Sequence, residues 1–182
     1  AIAMGENTTA TGISSTAIGK ATNASGNGAT SMGNGTTASG VNSTSMGVNT
    51  LASGSHSTAT GNGTVASGTN SISAGSSTTA GGNQSFAVGF STTANGNVAI
   101  AMGNSTVASG TSATAMGLYS VASGVAATAT GYDTEASGAN STAMGKETTA
   151  SGLSSFATGD NTTASGDYST ALGRSTFSTG LM

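Results

Sequence analysis

The stretch NSTAMGKETTASGLS (140–154) decides how the chain folds. The fifteen residues that begin fourteen earlier, AATATGYDTEASGAN (126–140), repeat its layout with glycine, alanine and threonine in matching places. Working outward, glycine occupies position 5 and every seventh position to 180, twenty-six in all. Gly28, Gly35, Gly63 and Gly81 alone lie outside this register. The true unit is fourteen residues, because alternate heptads differ. Met4, Ile18, Met32 and Met46 precede one set of glycines, while Thr11, Ser25, Ser39 and Ser53 precede the other. Residues 1–182 therefore read as a single repeat domain of thirteen units without insertion or deletion.

A period of seven first suggests a coiled coil, which requires apolar a and d positions and charged e and g positions. One glycine per heptad, each costing a helix about 1 kcal/mol against alanine, rules that out. A strand fits better. Each heptad has two variable residues after its glycine, then Ser/Thr/Ala–x–Ala–x–Gly. Alternation puts the small residues on one face and the intervening positions on the other. Five extended residues and a two-residue corner are expected per heptad, with two heptads forming one coil of a β-solenoid.

The corners carry their own signature. Glu6, Lys20, Asp133, Lys146, Glu147, Asp160, Asp167 and Arg174 all fall within two places after a register glycine, and only Glu135 lies inside a strand segment. Asn27-Gly28 and Asn34-Gly35 fill the same places, where positive φ is readily adopted. Gly5, Gly12, Gly19, Gly103 and Gly145 are accordingly expected to be turn glycines supplying that geometry.

The two outward faces are unlike. Before the first glycine of each coil stand Met4, Ile18, Met32, Met46, Val88, Met102, Met116, Met144 and Leu172, interrupted by Thr60, Ala74, Thr130 and Thr158. Ile2, Ile72, Phe86, Ile100 and Phe156 stand beside that column, among threonines. The corresponding column of the second heptad is almost wholly serine, threonine, asparagine and glycine. If alanine fills the narrow interior, the methionine column is an apolar stripe, which on a soluble protein marks an interface. Those nine residues, Met4 through Leu172, are the expected contact of a symmetric oligomer.

Composition narrows the functional classes. The chain has 30 glycines, no proline, no cysteine and a formal charge of −3 from three basic and six acidic residues. Such a chain offers no footprint for nucleic acid and no polybasic patch for a membrane. His56 is the sole histidine, at a corner without cysteine or clustered carboxylates near it in sequence, so neither a histidine-based triad nor a zinc site is expected. Periodic aspartates of calcium-binding rolls and a phosphate loop opening a helix are both missing. No cofactor, metal or enzymatic activity is expected.

The units NSTSMGVNT (42–50), NSISAGSST (70–78) and NSTAMGKET (140–148) resemble the head repeat of trimeric autotransporter adhesins of the YadA-like type, Asn-Ser-Val-Ala-Ile-Gly followed by two variable residues and Ser. This sequence uses threonine for the usual valine and methionine for the usual isoleucine. The likeness implies a left-handed parallel β-roll, three chains about one axis, and an exposed head on the outer membrane of a Gram-negative bacterium. It implies attachment to host collagen, fibronectin or laminin, and autoagglutination, with the motif positions Asn42–Gly47 and Asn140–Gly145 contributing to collagen contact. The stalk and membrane anchor of such proteins are expected outside this stretch, which itself is expected to touch no membrane. Two alternatives stay open: an ice-binding solenoid, whose threonine face Leu51, Val65, Glu135 and Phe177 would interrupt, and a structural or phage-fibre solenoid.

Overall fold

A computed structural model describes residues 1–180, and these divide into two units, 1–91 and 92–180. It is an all-β parallel solenoid of about thirteen turns, fourteen residues apart, with no helix among the described residues. In the first unit seven five-residue strands, from Ile2–Glu6 to Phe86–Phe90, form a front sheet, and six two-residue strands, from Thr9–Ala10 to Thr79–Ala80, form a back sheet. The second unit holds six front strands, from Ile100–Asn104 to Thr170–Arg174, and seven back strands, from Thr93–Ala94 to Phe177–Ser178. Pairing is strictly by the repeat: Met32 lies opposite Met46, and Gly103 opposite Gly117.

Front and back strands differ in length because the backbone bends earlier in the second heptad. The N–H groups of Thr11 and Gly12 both donate to the Ala24 carbonyl, at 3.1 and 3.3 Å, and Ser15 N–H returns to the Gly12 carbonyl at 3.2 Å. Sharing one acceptor ends the ladder. The expectation of five extended residues in every heptad therefore holds in length for the front strands alone, and these run one residue past the glycine.

Alanine fills the interior. Ala17, Ala24, Ala29 and Ala38 pack together with no exposure, as do Ala52, Ala59 and Ala66. The largest fully buried side chains are threonines, Thr22 and Thr36 among them. So thin a core buries little apolar area, and the stacked backbone hydrogen bonds carry a correspondingly larger share of the stabilisation.

The buried hydroxyls follow a rule. Ser31, Ser45 and Ser73 each lie 2.7 Å from the hydroxyl of the threonine five residues on, Thr36, Thr50 and Thr78, and each donates to that threonine's carbonyl at 3.0 Å. Where alanine replaces that serine, as at Ala17 and Ala59, the facing Thr22 and Thr64 hydroxyls are buried without a partner.

Glycine meets glycine between coils. A Cβ on Gly103 would collide with the carbonyl oxygen of Gly117, and one on Gly110 with that of Gly124. Gly103 also has φ +122°, a conformation closed to other residues, while Gly110 is not among the positive-φ glycines. The left-handed residue of each corner is instead the second after the register glycine, such as Asn49 (φ 51°), Ala126 (φ 54°) or Tyr119 (φ 59°). Gly28, Gly35 and Gly63, out of register in the sequence, occupy that same place.

Candidate functional site

With alanine turned inward, the front sheet turns its methionine column outward. Met4 (59 % exposed), Ile18, Met144 and Leu172 are exposed, and Met32, Met46, Val88, Met102 and Met116 are half-buried. Ile2, Ile72, Ile100 and Phe156 in the neighbouring column are also exposed. Strand alternation brings both columns onto one surface within each unit, as a layer of two side chains per coil. That surface carries no charge, mixes threonine with the large apolar side chains, and is uncovered in the single chain.

The back sheet presents a different surface. Ser25, Ser39, Ser53, Ser109, Ser123 and Ser151 are exposed in its outward column, beside partly buried residues such as Thr37, Val65 and Val107. Glu135 is exposed on this side.

Among the expected turn glycines, Gly5, Gly19, Gly103 and Gly145 have φ of 121°, 129°, 122° and 119°. Gly12 is not among the positive-φ residues, and a Cβ there would collide with the Gly26 carbonyl. Positive φ thus accounts for the front-row glycines, and close approach accounts for both rows.

The last residues of the front strands carry ion pairs in each unit. Successive rungs alternate in sign: Lys20 Nζ lies 3.3 Å from Glu6, while Asp160 takes Lys146 at 3.8 Å on one side and Arg174 at 3.5 Å on the other. Lys146 also meets Glu147 at 3.2 Å. Its pKa is raised above the ordinary lysine value, first by the hydrogen bond it donates to Glu147, then by the charges of Glu147 and Asp160. These pairs are exposed, so they favour one register over a slipped one more than they stabilise the fold. A fourteen-residue spacing of opposite charges was their signal in the sequence. Tyr119 and Tyr132 stack edge to face at a corner of the second unit, with ring centroids 6.2 Å apart.

The other corner reads differently. Side-chain oxygens of Asn27, Asn83 and Asp167 accept the backbone N–H of Ile13, Thr69 and Leu153, one coil earlier, at 2.9 to 3.0 Å. His56 sits here with its ring nitrogens 3.0 Å from Ser55 Oγ and 3.3 Å from Asn42 Nδ2. Both neighbours are neutral and the site is exposed, which suits a surface contact rather than proton transfer. No group of three or more His, Cys, Asp or Glu among the described residues is placed to hold a metal ion.

No curated protein matches the chain. Compared with known families, it matches the YadA head domain repeat (2 copies) over residues 1–22, 10–36, 38–64, 66–92, 94–120, 122–148 and 150–176. Most of these matches step by 28 residues, two coils at a time. Parallel coils of fourteen residues, an alanine interior, an outward apolar column and these matches along the chain agree with one another, and the chain belongs to the YadA head domain repeat family.

Proposed function

We propose that the chain is the head of an adhesin displayed on a bacterial outer membrane, working as a homotrimer that holds host matrix proteins. Family membership supports an adhesive role at the cell surface. The observation that carries the assembly is the uncovered front face: Met4, Ile18, Met32, Met46, Val88, Met102, Met116, Met144 and Leu172 point away from an interior already filled by alanine. An apolar column of this kind seeks cover, and three copies about one axis cover it without leaving an open end. Methionine suits such an axis, being flexible enough to fill irregular gaps.

Adhesion itself is assigned to the surfaces left outside the trimer, the back sheet and the corners. Contacts repeated coil after coil gain through multivalency, so weak individual contacts suffice. Collagen, fibronectin and laminin are the ligands to try, with Asn42–Gly47 and Asn140–Gly145 as the first segments to alter. Immobilised ligand assays with the natural chain test that directly. Failure to retain any of the three would remove the matrix-binding reading.

The assembly is tested by charge. Met102→Asp with Met116→Asp buries like charges without partners at the axis, at a cost of several kcal/mol per site. Ser109→Asp with Ser123→Asp places the same charges on the back sheet, in water. Light scattering should show a monomer for the first pair and a trimer for the second. A trimer that survives the methionine changes would reverse the assignment of the faces.

A further inference from the structure

Coils of one length, paired fourteen residues apart without interruption, are nearly interchangeable. Two copies laid front sheet to front sheet fit almost as well after sliding by one coil, as weakly patterned strands slip in register. The outward layers, however, are not uniform. The commonest couples threonine with methionine two places on, as in Thr44 with Met46 and Thr142 with Met144. In the first unit, Thr58 with Thr60 gives a layer with no large apolar side chain, and two coils later Phe86 with Val88 gives a bulky one. In the second unit, Thr128 with Thr130 is paired on either side with a threonine–methionine layer.

We propose that these odd layers are a register code: the front face accepts further copies of this chain only coil for coil, and Thr60, Thr130 and Phe86 enforce it. The proposal rests on the trimeric reading above. In register, the Thr130 hydroxyls of the copies meet one another and share hydrogen bonds. Slid by one coil, each meets a methionine sulfur, a weak acceptor, and is left dry. Phe86 slid by one coil toward the N-terminus meets the layer of Ile72 and Ala74, where the small alanine leaves a void. A lone polar position in an apolar seam fixes register in coiled coils by the same physics, at some loss of stability.

The chain has no cysteine, so a single introduced one reports the register. Chains carrying Met32→Cys and mass-tagged chains carrying Met46→Cys are assembled together and oxidised. In the natural background, disulfides should join like positions, with mixed links at least about tenfold rarer, because a disulfide tolerates little displacement. A levelled background carries Thr60→Met, Ile72→Thr, Ala74→Met, Phe86→Thr, Val88→Met, Thr130→Met, Phe156→Thr and Thr158→Met, so that these layers become threonine with methionine. There, mixed links should rise to match like links. If that chain loses its β-sheet circular dichroism, Thr60→Met with Thr130→Met alone is read in the same way and should raise mixed links severalfold. Mixed links as frequent as like links in the natural background, or equally rare in both backgrounds, overturn the register code. A natural chain that is monomeric by light scattering overturns the trimeric reading, and the code with it.

Discussion

A methyl group on Gly103 meets the carbonyl of Gly117, and one on Gly110 meets that of Gly124, yet of the two only Gly103 has a positive φ. Gly63 offers the contrasting case, with φ +61° and nothing nearer to an added Cβ than Ser77 Oγ at 4.0 Å. Alanine already occupies the equivalent corner place at Ala21 and Ala126. Chemical denaturation should therefore show Gly103→Ala and Gly110→Ala each losing about 3 kcal/mol through overpacking, and Gly63→Ala about 1 kcal/mol through its left-handed backbone. Equal losses at all three would mean that close approach is not what the register glycines serve. The interior hydroxyls allow a change in either direction. Ala59→Ser should give the stranded Thr64 hydroxyl a partner and add about 1 kcal/mol, while Ser45→Ala should strand Thr50 and remove about 1–3 kcal/mol. Melting curves of the two variants should move in opposite directions from the natural chain.

Strands and corners are where opposite charges find one another. Asp160→Lys would place three cations on consecutive rungs, at 146, 160 and 174. Melting at low salt should fall, and added salt should recover most of the loss, since exposed charges are screened. A loss indifferent to salt would mean that Asp160 matters for some other reason. The sign for Lys146 follows from its raised pKa: the cation's contact with Glu147 and Asp160 is present below the ordinary value of 10.5 and fades as pH rises through the raised one. Much of this scale was legible in the sequence. Glycine spacing and alternation indicated a coil with two unlike faces, the uniformity of the alanine column favoured alanine as the inner one, and the charges marked the corners. The two-residue back strand was not legible, because it depends on Thr11 and Gly12 sharing the Ala24 carbonyl, and a shared acceptor leaves no mark in residue type. Ser45 likewise lies in a front strand and Thr50 just before the back strand Leu51–Ala52, and they face each other only once the coil has closed. Nor does alternation reveal that a left-handed residue follows each glycine by two places, since Asn, Ser, Ala and Tyr all serve there.

For the assembled molecule, the methionines supply a chemical reading of which face is covered. In the proposed trimer Met32 and Met46 should resist dilute peroxide, and in the monomeric Met102→Asp, Met116→Asp variant both should become sulfoxides, a change that mass spectrometry reads directly. Rapid oxidation of both in the natural protein would place the column in solvent and leave the front face without its partners. The glycine rows bear on how such a protein changes over generations. Along both rows register glycines touch their counterparts in the next coil, as Gly33 does Gly47, so losing a single residue would set a side chain against a carbonyl where the shortened coil meets its neighbour. Gain or loss of a complete coil keeps every one of those contacts. Length in whole coils is therefore what can change while the interior stays as it is.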